Sequence, residues 1–190
     1  MPRMSEENLA SVRAEILRGA RECFITYGYK DATVARLEAS IGKSRGAIFH
    51  HFRNKDTLFL EVAHDDMARM TQAAREHGMI GMIRMVLHSP ERAGWWAMRM
   101  EILRRVRTDP CFRAKWELDQ LALQEVVTDR LRENAARGRI RGDVDVVSMY
   151  HLLDLVLEGV MAKLPAAAGT EDMQRALQLV ELAMRQEPQL

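Results

Sequence analysis

With 190 residues, 47% hydrophobic and 29% charged, the chain suits one compact unit or two small helical domains, and its composition excludes a disordered polymer. The net charge of +1 hides an asymmetry: residues 1–60 hold 10 Lys/Arg against 7 Asp/Glu, and the remainder 18 against 20. No apolar run approaches the roughly 18 residues of a membrane span, and no signal peptide precedes Ser5, so a cytoplasmic protein is expected.

The first helix is expected from about Asn8 to Tyr27, with Val12, Ile16, Ala20, Phe24 and Tyr27 on one stripe and Gly28 ending it. Thr33 can cap a second helix that carries Val34, Leu37 and Ile41 on one face, closed by Gly42. Ser44 can cap a third, very short helix whose apolar side is Ala47, Ile48 and Phe52, leaving Arg45, Phe49 and His50 off its centre. Asn54 or Asp56 caps a fourth, running to about His77 with no Pro- or Gly-rich linker inside it. Lys55 stands at the positive end of that helix, where a nearby anion such as a phosphate would explain it.

Gly78 predicts a break, followed by a fifth helix from Met79 to Leu87 that stops at Ser89-Pro90. The sixth covers about Glu91 to Thr108, the seventh Pro110 to Ala136, the eighth Val146 to Leu164, and the ninth starts after Thr170 and runs to about Gln186. No strands or repeats are indicated. The fold class is therefore all-α, with about nine helices: a three-helix helix-turn-helix module over 1–55 (motif about 32–51), then a ligand-binding and dimerisation domain over 56–190.

Helix eight is apolar nearly all round, from Val146 to Met161, so it predicts burial on more than one front. A second subunit is the natural cover in so small a chain. Val156, Gly159 and Val160 with Leu177 and Val180 of helix nine are the expected homodimer contacts. Cys23 and Cys111 fall on apolar helical faces without pairing or metal spacing, and both read as buried thiols.

Ile48-Phe49-His50-His51-Phe52, followed by Lys55 and Leu58, resembles the signature of the TetR family of transcriptional repressors over roughly the first 70 residues. The family commonly has Tyr where this chain has Phe49, so a phosphate-touching hydroxyl is missing here. The resemblance implies operator DNA as partner, with Thr33, Lys43, Ser44, Arg45, Gly46, Phe49, His50 and Lys55 as its contacts. A homodimer would read a near-palindromic operator with its two short helices about 34–36 Å apart.

Three charged positions interrupt apolar stripes. Arg99 falls among Trp95, Ile102 and Val106; Arg130 and Asn134 share a stripe with Trp116, Leu123 and Val127; Glu181 borders Leu177, Val180 and Met184. A buried unpaired charge costs several kcal/mol, so each needs a partner, a route to water, or a bound ion. On the last reading Arg99, Arg130 and Asn134 line an anion cavity, the amides after Gly78 add donors, and Glu181 and Glu101 offer oxygens to a hard divalent cation. Later stretches, notably Arg107-Thr108-Asp109-Pro110, Phe112 to Trp116 and Asp154 to Glu158, resemble the aconitase repressors of actinobacteria. That resemblance implies a citrate–magnesium effector held by Arg130, Asn134 and the backbone of Met79 and Ile80, with Glu181 on the metal; DNA binding itself requires no cofactor.

Competing constellations are an apolar drug pocket (Trp95, Trp96 and Met79, Met82, Met85, Met98, Met100) and a transition-metal set (His151, Asp154, Glu158). The bland readings are core packing for the first and a polar rim for the second. No nucleophile–base pair or phosphate loop argues for an enzyme.

Overall fold

The computed structural model describes residues 6–88, 93–164 and 169–185, with side chains at all of these except 6 and 93–96. The described residues form eight helices: α1 (Glu6–Asp31), α2 (Val34–Ile41), α3 (Arg45–His51), α4 (Lys55–His88), α5 (Ala93–Thr108), α6 (Pro110–Ala136), α7 (Val146–Lys163) and α8 (Glu171–Met184). The expected fourth and fifth helices are the two halves of α4, divided where Gly78 leaves helical geometry (φ 72, ψ 166). The stops expected at Ser89-Pro90 and Pro165 lie outside the described residues, as do the side chains of Trp95 and Trp96.

Two compact units divide the chain: Met1–Asp66 with Ala97–Trp116, and Met67–Trp96 with Glu117–Leu190. Thus α4, α5 and α6 each contribute residues to both. The first unit is larger than the expected 1–55 module, taking in the start of α4 and the α5–α6 corner.

In the first unit Ile16, Ala20, Phe24, Leu37, Ile48, Phe52, Leu58 and Phe59 are buried, as their helical spacing predicts. Beneath them sits an ionic knot with no strong sequence signal. Arg21 of α1, almost wholly buried, reaches Asp65 at 2.7 Å and Asp66 at 2.6 Å on α4. Removing one partner of such a set leaves uncompensated buried charge, which fixes how α1 and α4 meet.

In the second unit Met149, Leu153, Leu157 and Met161 of α7 and Leu177 and Met184 of α8 form a core. Met82 is closed into a core as well, and in the first unit so is Met98. One thiol expectation needs correction. Cys23 is buried, but Cys111 is exposed, since it lies a 100° step around α6 from the buried Phe112.

Candidate DNA-reading surface and effector cavity

In the first unit, the caps that make the helix-turn-helix are in place. Thr33 Oγ1 accepts the Arg36 N–H at 3.3 Å and Ser44 Oγ accepts that of Ala47 at 3.4 Å. Gly42 closes α2 in the left-handed region (φ 71, ψ 25). Ile48 and Phe52 anchor α3 in the core, and Arg13 stacks on the Phe52 ring at 4.5 Å while pairing with Glu61. Arg45, Gly46, Ala47 and His50 are left facing outward, with Phe49 half-buried. No atom of the chain lies within 4 Å of a Cβ built at Gly46, so the fold makes no demand for glycine there.

Two of the expected contacts carry internal duties. Lys43 pairs with Glu15 at 2.9 Å, which holds the Glu15 carboxyl below its ordinary range. Lys55 Nζ donates to the carbonyls of Tyr29 (2.9 Å), Ala32 (3.2 Å) and Lys30 (3.4 Å), and lies 4.5 Å from the Tyr29 ring centroid. These acceptors, at the negative end of α1 and just beyond it, suit a cation. The sequence could not pair residues that far apart.

Around the same corner, Gly28 kinks α1 (φ 71, ψ 164), and Glu101 Oε2 accepts the Tyr29 N–H at 2.7 Å. Tyr29 OH donates to Asp56 at 2.6 Å; Arg105 pairs with Asp56 (3.0 Å) and Asp109 (2.7 Å) and stacks on the Tyr29 ring at 4.1 Å. The Tyr29 hydroxyl, then Arg105, holds the Asp56 carboxyl below its usual range. Sequence reasoning missed Arg105 and Tyr29. It also misplaced Glu101, expected at a metal: that carboxylate caps the kink and belongs to the first unit. Arg99 is corrected likewise. Its buried guanidinium lies 5.6 Å from the Trp116 ring centroid in the first unit, and it is not among the residues lining the cavity described next.

In the second unit a cavity of about 210 Å³ opens at the Gly78 kink. Met79 and Ile80 line it, together with Arg130 and Asn134 of α6, Arg139 and Ile140 beyond that helix, and Glu181, Met184 and Arg185 at the end of α8. Arg130 Nη1 donates to the Arg75 carbonyl at 2.7 Å, satisfying the end of the first half of α4. A Cβ on Gly78 would stand 3.1 Å from Arg130 Nε, so glycine permits both the positive φ and the approach. Arg130 has only donors, so it cannot take up the amides that open the second half of α4.

Glu181 is the one carboxylate among the lining residues. Arg185 (2.9 Å) and then Arg84 (2.7 Å) hold it ionised, below the usual glutamate range. Among the described residues no group of three or more His, Cys, Asp or Glu could hold a metal, and that includes His151, Asp154 and Glu158. The chain alone therefore does not fit a metal cage.

The expected dimer residues divide. Leu177 and Val160 are buried within the protomer and so are not free to cover a partner; Val156 and Val180 are half-buried, and Gly159 is exposed. The exposed large apolar side chains of these two helices are Val147, Leu152 and Leu155 on α7 and Leu179 and Leu182 on α8.

Residues 16–62 match the domain described as "Bacterial regulatory proteins, tetR family". The chain is 58% identical over 185 residues to the HTH-type transcriptional repressor AcnR of Corynebacterium jeikeium, covering 97% of this chain and 98% of that one. It is 46% identical to the HTH-type transcriptional repressor Rv1474c of Mycobacterium tuberculosis, covering 97% and 99%. Among solved structures, Salmonella enterica GusR shares the fold with a TM-score of 0.78 at 20% identity, over 96% of this chain and 99% of that one. No described helix is long and apolar enough to cross a membrane. With the capped helix-turn-helix in place and relatives this similar along nearly the whole chain, the protein belongs to the TetR family, as a DNA-binding transcriptional repressor of the AcnR group.

Proposed function

We propose that this repressor acts as a homodimer on a near-palindromic operator of an aconitase gene, and that citrate with magnesium releases it. The observation that carries the reading is the Gly78 kink. Gly78, Met79 and Ile80, which open the second half of α4, line the same cavity as Arg130, Asn134 and one ionised carboxylate. A tricarboxylate satisfies donors of this kind at several points. Magnesium holds citrate oxygens and waters and needs only Glu181 from the chain. The AcnR relatives support the regulatory target by their group alone. The buried Met82 and Met98 pack in cores, which leaves the apolar-pocket reading without those walls.

Binding must favour a shape in which the reading heads no longer match the operator, since a ligand that bound both shapes equally would shift nothing. The test is an operator titration in citrate with and without magnesium, against an ionic-strength-matched control, because salt alone weakens DNA binding. Release beyond the control only with both components is the expected result. Equal release in citrate–magnesium and in the control would sink the effector.

The homodimer rests on Leu152, Leu155, Leu179 and Leu182, large apolar side chains left in water by the protomer. Leu155→Glu with Leu179→Glu, both at exposed positions, is expected to yield folded monomers in sedimentation that bind the operator poorly. A folded double variant that still sediments as a dimer would remove this interface.

A further inference from the structure

We propose that Arg141, which does not line the cavity, is a positioning residue: it latches the loop after α6 onto the end of α8 and so completes the effector site. The inference rests on reading the cavity as that site. After Gly138 the chain passes Arg139 and Ile140, both lining the cavity, and the next residue is the anchor. The Arg141 backbone N–H donates to the Met184 carbonyl at 3.0 Å, and its Nη1 reaches the Ala183 carbonyl at 3.4 Å.

On the other side of this contact, Met184 and Arg185 also line the cavity, and Glu181 lies one turn back. One residue therefore ties together two walls. Its chemistry suits the place: the last carbonyls of a helix lack intrahelical partners, and a guanidinium there is favoured by both hydrogen bonding and the helix dipole. Asp143 holds the guanidinium in a two-pronged grip, Nε to Oδ1 at 2.7 Å and Nη2 to Oδ2 at 2.5 Å. That grip pre-sets the direction in which Arg141 points, so less freedom is lost when the loop docks.

Without the latch, Arg139 and Ile140 stay on the chain but lose their fixed place. The binding groups of Arg130, Asn134 and the Gly78 kink are untouched. A closed wall mainly slows escape of a bound ligand, so the loss is expected in the dissociation rate.

The test compares full-length wild type with Arg141→Ala, Asp143→Asn and the conservative Arg141→Lys. Two readouts are used: citrate–magnesium binding with its dissociation rate, and amide hydrogen exchange of residues 138–144 in the ligand-free protein. Arg141→Ala is expected to dissociate citrate–magnesium about three- to tenfold faster and to exchange its loop amides faster. Arg141→Lys should recover part of both, since an ammonium can meet the helix end but cannot grip Asp143 at two points. Operator affinity without ligand is expected to stay within about twofold. Wild-type dissociation and loop exchange in Arg141→Ala would overturn the latch. Should that variant fail to fold, Asp143→Asn decides by the same two readouts. If wild type ignores citrate–magnesium, the effector reading falls instead; loop exchange then judges the latch, and unchanged exchange overturns it as well.

Discussion

Gly28 and Gly78 bend their helices with nearly the same backbone angles, φ 71, ψ 164 and φ 72, ψ 166, yet the two bends have opposite chemistry around them. At the first, a carboxylate meets the amide just past the bend and an ammonium meets the carbonyls at the end of the helix. Glu101 accepts the Tyr29 N–H, and Lys55 takes the carbonyls of Tyr29, Lys30 and Ala32. That corner is closed from within and serves to hold the reading head. At the second, the side chain at the bend is Arg130, which satisfies the Arg75 carbonyl. The first kink is met by a carboxylate and the second by a guanidinium, so the two present opposite charge to the bent backbone.

The strongest way to break this contrast is to make the second bend imitate the first. Arg130→Glu puts a carboxylate where the effector anion belongs. Citrate–magnesium affinity is expected to fall at least about a hundredfold, since facing like charges costs several kcal/mol. Fluorescence anisotropy of labelled operator reads this directly, and retained release would mean that the anion sits elsewhere. Stability in thermal unfolding should fall by about 1–2 kcal/mol, because the Arg75 carbonyl loses its Arg130 donor, so release is read at temperatures where the variant is folded.

Next in size are the glycines. Gly28→Ala and Gly78→Ala force a side chain to positive φ with contacts of 3.3 and 3.1 Å to Glu101 and Arg130, and each is expected to cost about 1–3 kcal/mol in urea denaturation. The contrast sharpens if only Gly78→Ala also loses its response to effector at concentrations where both variants are folded.

Glu101→Ala removes the internal acceptor at the first bend and should cost about 1–2 kcal/mol, with the effector response intact in the folded fraction. A selective loss of that response would place Glu101 at the metal after all.

The smallest effect concerns pH. Glu181 is held below its ordinary value first by Arg185 and then by Arg84. For a depressed carboxyl, the stability it adds is fully present above the unfolded value of about 4.3 and is lost as pH falls through the lowered folded value. Glu181→Gln should therefore flatten the acid limb of the stability curve by at most about 1 kcal/mol, since both ion pairs are largely open to water. An unchanged limb would show that the two arginines do not hold the carboxylate in solution.

Local patterns alone determined much of this protein. The caps at Thr33 and Ser44, the closing Gly42, the buried Ile48 and Phe52 and the break at Gly78 depend on neighbours within a turn or two, where side-chain type sets the hydrogen bond or the torsion. The motif over α3 and the start of α4 sufficed for the family, and the charges off pattern on α6 and α8 marked Arg130, Asn134 and Glu181, which line one cavity. What only the tertiary structure decided is which distant residue answers each unsatisfied group. Arg99 broke its stripe as plainly as Arg130 did, and Glu101 offered a carboxylate as Glu181 did, but they face Trp116 and Tyr29. Arg141 lies in a turn that reads as solvated loop until the end of α8 is seen beside it. Periodicity states which side of a helix a residue occupies; the partner on that side comes from the packing of helices far apart in the chain, and partners decide whether a charge builds the fold or waits for a ligand.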